Sequence, residues 1–305
     1  MKPRIVVVGS SNTDMIIKLP ELPSPGETVL GGEFHMVNGG KGANQAIAAA
    51  RAGGEVFFIA CTGNDSFGKN AREALEKEGI DISCVKITNE KPSGIALINV
   101  SESGENSISV APGANNLLTP ADIEKYERII VNADALLIQL EVPVETVYRT
   151  IEIAHEHQVP VILNPAPAQK LDPEFLKLVS IITPNENEAM VLTSQSDNKD
   201  HSLLTEAMIN MGTETVIITL GENGGIYAKN GKMDYFKANQ VIAKDTTAAG
   251  DTFNGYLAVA LAEGMVLKDA VLLANNAASI AVTRIGASSS IPFLEEVNNA
   301  LSKIK

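Results

Sequence analysis

Tryptophan is absent from the chain, aromatic residues make up only 4% of it, and there are two cysteines and four histidines. Cys61 and Cys84 stand in apolar, strand-like contexts without CxxC or Cys/His spacing, so neither a disulfide framework nor a thiolate metal centre is readable. A reducing compartment is the expectation. His35, His155, His157 and His201 are scattered and match no familiar zinc motif. Positive charge is short as well: 24 Lys and Arg against 37 Asp and Glu leave a net −13 at pH 7. Such a surface repels nucleic acid and anionic lipid, so neither is an expected partner, and any anionic ligand must meet positive potential locally. No apolar run is long enough to span a bilayer, and the run before Gly9 is too short for a secretory signal, which predicts a soluble, cytoplasmic protein. Repeats and low-complexity tracts are lacking too. What remains is ordinary globular composition, 45% hydrophobic and 20% charged over 305 residues, enough for one large α/β domain, 1–305.

Short, β-rich apolar runs recur at 4–8, 56–60, 135–139, 159–163, 181–183 and 215–220. Near-continuous apolar runs of that length predict strands buried on both faces of a parallel sheet. Helical stretches separate them: Asp65 and Ser66 can cap a helix through 78, Thr119-Pro120 opens another, and 144–157 carries a third. The alternation predicts a wound, mainly parallel sheet with helices on both faces. Four strand-like segments, 14–19, 27–37, 94–100 and 106–110, have no helix between neighbours. They predict a small antiparallel β-sheet built from two insertions, about 12–38 and 93–111, lying as a lid over the C-terminal edge of the main sheet. Independent surface hairpins are the plainer alternative.

Two stretches carry chemistry. Asn38-Gly39-Gly40-Lys41-Gly42-Ala43-Asn44 runs into an Ala-rich helix at 45–52 and is neither a Walker A loop nor GxGxxG. Its glycines let backbone approach a ligand, with Lys41, Asn38 and Asn44 supplying charge and amides; a tight turn with a helix cap would need no ligand. The second is Asp245-Thr246-Thr247-Ala248-Ala249-Gly250-Asp251-Thr252-Phe253-Asn254-Gly255 before an apolar helix at 256–262. Small residues at Ala248, Ala249 and Gly250 bare the amides of a helix N-terminus, where a phosphoryl group is stabilised by N–H donors and the macrodipole. Asp251 could be a simple helix cap. A cap needs no Ala-Ala-Gly run beside it, whereas a general base next to a phosphoryl nest needs both.

Both stretches resemble the two signatures of the ribokinase-type, or PfkB, carbohydrate kinase family. Gly9-Ser10-Ser11-Asn12-Thr13-Asp14, Pro25-Gly26-Glu27-Thr28, Gln139-Leu140-Glu141, Asn164-Pro165-Ala166-Pro167-Ala168 and Ile181-Ile182-Thr183-Pro184-Asn185-Glu186 extend the similarity over essentially the whole chain. The resemblance implies ATP-dependent phosphorylation of D-ribose to D-ribose 5-phosphate, with Asp251 as general base and an anion hole at Ala248, Ala249 and Gly250. Asn12, Asp14, Gly40, Lys41, Asn44 and Glu141 would hold the sugar, Asp14 accepting from two hydroxyls as a carboxylate can. Asn185, Thr219, Gly221, Glu222, Gly250 and Asn275 would hold ATP, and Glu188 would help place Mg2+ indirectly. Without the resemblance, Asn185 and Glu188 read equally well as a helix N-cap and first-turn acid. Asp245, Thr247, Arg284, Gly286 and Ser290 resemble the family's monovalent-cation site, implying K+. A homodimer through the lid is also implied, and Met15, Ile17, Leu19, Ile95, Leu97 and Ile98 would otherwise leave an open apolar edge. The chain departs from the family pattern at Asn275, where many relatives have His, and at Thr193-Ser194-Gln195 in place of a Thr-Gly turn.

Three other functions stay in view. Another sugar or nucleoside kinase of the family (2-deoxyribose, fructose, nucleoside) differs in its sugar pocket, and the few aromatics disfavour nucleoside stacking. A dinucleotide oxidoreductase needs the GxGxxG that is missing after 4–8. A non-catalytic sugar-binding regulator has no use for Asp251 beside the Ala-Ala-Gly nest.

Overall fold

The computed structural model describes residues 1–30, 32–103, 105–195 and 200–302. In chain order its strands are β1 (Arg4–Val8), β2 (Asn12–Leu19), β3 (Glu33–Gly39), β4 (Glu55–Gly63), β5 (Val85–Thr88), β6 (Gly94–Ser101), β7 (Asn106–Ala111), β8 (Ala135–Ile138), β9 (Val161–Leu163), β10 (Ile181–Ile182), β11 (Thr215–Thr219), β12 (Gly225–Lys229) and β13 (Lys232–Phe236). Among the described residues, nine of them form the main sheet in the order β13-β12-β11-β10-β9-β8-β1-β4-β5. From β11 to β5 all neighbours run parallel. Only β12 and β13 are antiparallel, a hairpin at one edge that the apolar-run criterion does not detect.

The strand β1 shows why the sheet is central. Ile5 and Val7 enter one apolar core with Ala46, Ala49 and Leu257, while Val6 and Val8 enter a second with Ile123, Val147 and Ile151. Successive side chains point to opposite faces, so an unbroken apolar run feeds both layers. Each such side chain contributes about 1.5–3 kcal/mol relative to an exposed position.

Two helices on the first face matter most for function, Lys41–Arg51 and Ala249–Ala262. They cross closely because Gly255 has no side chain: a Cβ there would lie 2.4 Å from the Ala48 Cβ and 2.7 Å from the Ala49 nitrogen. The small residues of the first helix are thus a packing requirement, and they bring its first turn beside the first turn of the second.

The second sheet has the order β3-β2-β6-β7. The small sheet expected from the two insertions is there, with one difference. Its outer pairs are antiparallel, but β2 and β6 run parallel, pairing Asn12 with Gly94 through Leu19 with Ser101. The two insertions leave the main sheet in the same direction, so their first strands pair side by side. Strand β3 starts at Glu33, later than the segment 27–37 suggests, with Gly31 outside the described residues. The register places Met15, Ile17, Phe34, Met36 and Leu97 on the outer face. Two residues expected there do not belong: Leu19 is buried, and Ile98 faces inward.

Candidate active site

Most of the polar residues singled out for the sugar lie together beneath the small sheet, while Asp245, Arg284 and Ser290 line neither of the two clefts described below. The chain after β1, β8 and β10 brings Asn12 (the first residue of β2), Glu141 and Asn185 to one edge, and Thr219 ends β11 there, where α/β sheets bind ligands. A cleft of about 350 Å³ there is lined by Asn12, Asp14, Gly40, Lys41, Asn44, Glu141 and Asp251, together with Asn185, Glu188, Thr247 and Ala248. Ile98, Ile108 and Val110 of the small sheet form an apolar roof. A second cleft of about 540 Å³ is lined by Gly221, Glu222, Asn275 and apolar groups including Val241 and Val282. Thr219, Thr246, Ala249 and Gly250 line both. The two chambers therefore meet at the N-terminus of the Ala249–Ala262 helix.

That terminus is built without a side-chain cap. Ala248 sits at the N-cap with φ 59°, a left-handed conformation that costs a non-glycine residue about 1 kcal/mol. The first amides of a helix have no partner within it, and a Cβ on Gly250 would meet nothing within 4 Å, so this turn opens onto the clefts. Asp251 is not the cap. Its Oδ2 accepts from Asn44 Nδ2 at 3.0 Å and its Oδ1 from Gln45 Nε2 at 2.9 Å, both on the neighbouring helix.

The start of the Lys41–Arg51 helix is held by side chains from elsewhere. Glu141 Oε2 accepts from the Lys41 backbone N–H at 3.1 Å and from Ser10 Oγ at 2.5 Å. Gly42 allows the contact with β1, since a Cβ would lie 2.5 Å from the Ser10 nitrogen. Asn115 Nδ2 donates to Asn12 Oδ1 at 2.7 Å, leaving the Asn12 amide nitrogen for the cleft.

Among the described residues lining the two clefts, Lys41 is the one cation, and it faces Asp251, Glu141, Glu188 and Asp14. Burial alone would lower its pKa, yet these carboxylates hold it above the ordinary lysine value. Burial pushes Asp14 up to about 7, helped by Glu141 and Asp251 and opposed by Lys41. Burial also raises Asp251, against Lys41 and the two amide donors, and raises Glu188. The helix N-terminus by itself would predict a readily ionised Asp251; full burial moves it the other way.

Asn185 and Glu188 form a capping box on the Glu186–Thr193 helix, with Glu188 N–H to Asn185 Oδ1 at 2.9 Å and Asn185 N–H to Glu188 Oε2 at 2.8 Å. The cap reading is thus realised, and both side chains still line the cleft. Asp245 joins two segments, accepting from Thr247 N–H and Gly286 N–H, each at 2.9 Å. The Arg284 guanidinium is paired with Glu296, and Ser290 is buried with its hydroxyl on the Ala287 carbonyl. Asn275 donates to the Lys237 carbonyl at the wall of the second cleft.

Sequence reasoning missed Gln45, Gln139, Asn164 and Asn115 as site residues. Gln45 has a readable signal, an amide set in the Ala-rich run of a buried helix. Gln139 and Asn164 stand in segments that carry the family resemblance, but nothing local gives them a role or marks Asn115, because their partners are far along the chain.

A curated relative, "Ribokinase" of Haemophilus influenzae, is 44% identical over 298 residues, 97% of each chain. "Deoxyribokinase" of Salmonella typhi is 35% identical over 301 residues, 98% of each. The solved structure of Arabidopsis thaliana ribokinase complexed with ribose and ATP superposes with TM-score 0.89 at 31% identity, covering 99% of both chains. With the family model for pfkB family carbohydrate kinases matching residues 2–294 and the paired clefts meeting at a bared helix N-terminus, the chain belongs to the pfkB family of carbohydrate kinases.

Proposed function

We propose that the protein transfers the γ-phosphoryl group of ATP to the primary hydroxyl of D-ribose, giving D-ribose 5-phosphate and ADP. The observation that carries this reading is the meeting of a polar chamber and a larger, partly apolar one at Ala249 and Gly250, next to the buried carboxylate of Asp251 in the same helical turn. Relatives named ribokinase at 40–44% identity support ribose as the sugar.

Asn12, Asp14, Gly40, Lys41, Asn44 and Glu141 hold the sugar, with Ile98, Ile108 and Val110 as an apolar roof over the chamber. Thr219, Gly221 and Glu222 lie along the nucleotide phosphates, with Asn275 near adenine. Asp251 accepts the hydroxyl proton as the sugar oxygen bonds to the γ-phosphorus and the bond to the β-phosphate oxygen breaks. Burial raises its pKa above the ordinary carboxylate value, which strengthens it as a base. The amides at Ala248, Ala249 and Gly250 and the helix dipole stabilise charge on the phosphoryl oxygens, and positioning does the rest.

Asn185 and Glu188 offer the hard oxygen donors that Mg2+ prefers and would hold it directly or through water, where it neutralises phosphate charge. Asp245, Thr247 and the loop carrying Arg284, Gly286 and Ser290 form an oxygen-rich junction beside the nest that fits K+, with Arg284 offering its backbone carbonyl because its side chain is committed to Glu296. K+ there would order the neighbouring amides.

The chain works as one kinase domain whose lid, 12–38 and 93–111, pairs with a second copy in a homodimer. The support is the outer face of the small sheet, where Phe34, Met36 and Leu97 are about half exposed in a row. Two free, buried cysteines suit a cytoplasmic location, and among the described residues no helix is long and apolar enough to cross a membrane.

The test is ADP release across ribose, 2-deoxyribose, fructose and nucleosides. Ribose should give the highest kcat/KM. A preference for 2-deoxyribose would move the assignment to the chemistry named for the Salmonella typhi relative, and no turnover with any sugar would refute a kinase.

A further inference from the structure

Behind the cleft lies a line of buried carboxamides, Gln45 and Gln139 lining neither chamber and Asn164 reaching the wall of the first. Gln45 is fully buried; its Nε2 donates to Asp251 Oδ1 at 2.9 Å and to Asn164 Oδ1 at 3.0 Å. Gln139, also fully buried, donates from Nε2 to Gln45 Oε1 at 2.6 Å. Asn164 Nδ2 donates to the backbone carbonyl of Thr183 at 3.1 Å.

An amide side chain can present either its oxygen or its nitrogen, so a carboxamide beside a base is useful only if something fixes which. Here both ends of the line are obligate acceptors. The Thr183 carbonyl compels Asn164 to turn its nitrogen toward it and its oxygen toward Gln45. Both Asp251 oxygens accept, Oδ2 from Asn44 and Oδ1 from Gln45, so Gln45 must present its nitrogen there, and one nitrogen position then serves both acceptors. The Gln45 oxygen is left facing Gln139, which must in turn present its nitrogen. The line ends at Gln139 Oε1, which is buried without a hydrogen-bond partner, and a Cβ on Gly9 would lie 2.1 Å from that oxygen. Leaving a buried acceptor unpaired is costly, and here the Gln139 orientation that does so is the one that locks Gln45.

We propose that Gln45 is a positioning residue for phosphoryl transfer, holding the Asp251 carboxylate in one orientation and favouring its ionised form, with Gln139 and Asn164 locking the Gln45 amide. This rests on the reading of Asp251 as the base. Gln45 does not line the sugar chamber, so its contribution falls on the chemical step and not on sugar binding. Lys41 and Asn44 on the same helix, Asp14 on β2, Glu141 after β8 and Glu188 on the Glu186–Thr193 helix also act on Asp251, and all are retained when Gln45 is changed.

The experiment is a single-turnover rapid-quench rate with ATP, measured from pH 5.5 to 9 for the wild type, Gln45→Met, Gln139→Met and Asp251→Ala. For Gln45→Met the rate should fall about 10- to 100-fold at neutral pH. Loss of a donor to the carboxylate raises the Asp251 pKa, so the acid limb should move up by about one pH unit and part of the loss should recover in base. The sugar KM should stay within about twofold. Gln139→Met, which frees the Gln45 amide to turn, should move rate and limb in the same direction by less. A folded Gln45→Met with wild-type rate and limb overturns the proposal, and so does a slower enzyme whose acid limb has not moved. If Gln45→Met shows no cooperative melting, Gln139→Met decides by the same two readings. Loss of turnover in Asp251→Ala with an unaltered Gln45→Met overturns this inference alone; an active Asp251→Ala overturns the base reading and this inference with it.

Discussion

Replacing Asp251 by alanine separates a catalytic carboxylate from one that merely joins two helices. Loss of a general base lowers turnover about 10²- to 10⁴-fold, equivalent to about 2.7–5.4 kcal/mol of barrier. Stability should respond differently. Two hydrogen bonds, from Asn44 Nδ2 and Gln45 Nε2, are lost, and bonds to a charged acceptor contribute about 1.5–3 kcal/mol each. Against this, burial raises the Asp251 pKa, so the folded state carries a penalty for the ionised carboxylate that alanine removes. The two effects oppose each other, so the net loss of stability should be smaller than the about 3–6 kcal/mol of the two bonds taken alone. Sugar binding should persist, because Asn12, Asp14, Lys41 and Glu141 remain around the same chamber. The assay is ADP release at saturating sugar and ATP, with calorimetric titration of ribose and a melting curve on the same preparation. A folded variant that binds ribose and turns over within about threefold of the wild type would refute the reasoning, as would a loss of ribose affinity that accounts for the whole effect.

Asp14, with its pKa pushed up to about 7, accepts sugar hydroxyls fully only above that value, so kcat/KM for ribose should fall toward tenfold per unit as pH drops below it; a flat profile from pH 5.5 to 8 would contradict this. The same shift fixes a stability sign: between 3.8 and about 7 the unfolded chain has lost the proton that folded Asp14 keeps, so stability falls as pH rises through that window. Asp14→Asn should therefore raise Tm at pH 8 relative to wild type and do much less at pH 4. Potassium should raise kcat over a bulky organic-cation buffer, and Asp245→Ala should abolish the difference; equal activity in both salts rules out the cation site. Light scattering should give a dimer at micromolar concentration, and Phe34→Glu, on the outer face of the small sheet, should shift it toward monomer, whereas a monomeric wild type removes the lid interface.

Much of the architecture is legible because it rests on short-range rules. The runs at 4–8 and 135–139 read as buried strands since every residue of 5–8 and 135–138 feeds one of two cores, and the Gly-rich turn and Ala248-Ala249-Gly250 announce exposed amides through residue type alone. The β12–β13 hairpin escaped because it is a half-exposed sheet edge, where apolar continuity is lost. The parallel pairing of β2 and β6 depends on where two insertions leave the main sheet, which no window along the chain contains.

The same division runs through the site. Sequence determined which groups were available: Asp251 beside bare amides, Lys41 among glycines, Asp14 after the first strand. Tertiary structure decided what they meet and how they ionise. Asp251 takes its hydrogen bonds from residues 206 and 207 positions away, Gln45 takes one from a residue 94 away, and Asp14 rises to about 7 through burial and two carboxylates from distant segments. Propensity and periodicity act over a few residues, whereas burial and charge act through space, so only the folded sheet, which brings the ends of β1, β8, β10 and β11 to one edge, could assemble those neighbours.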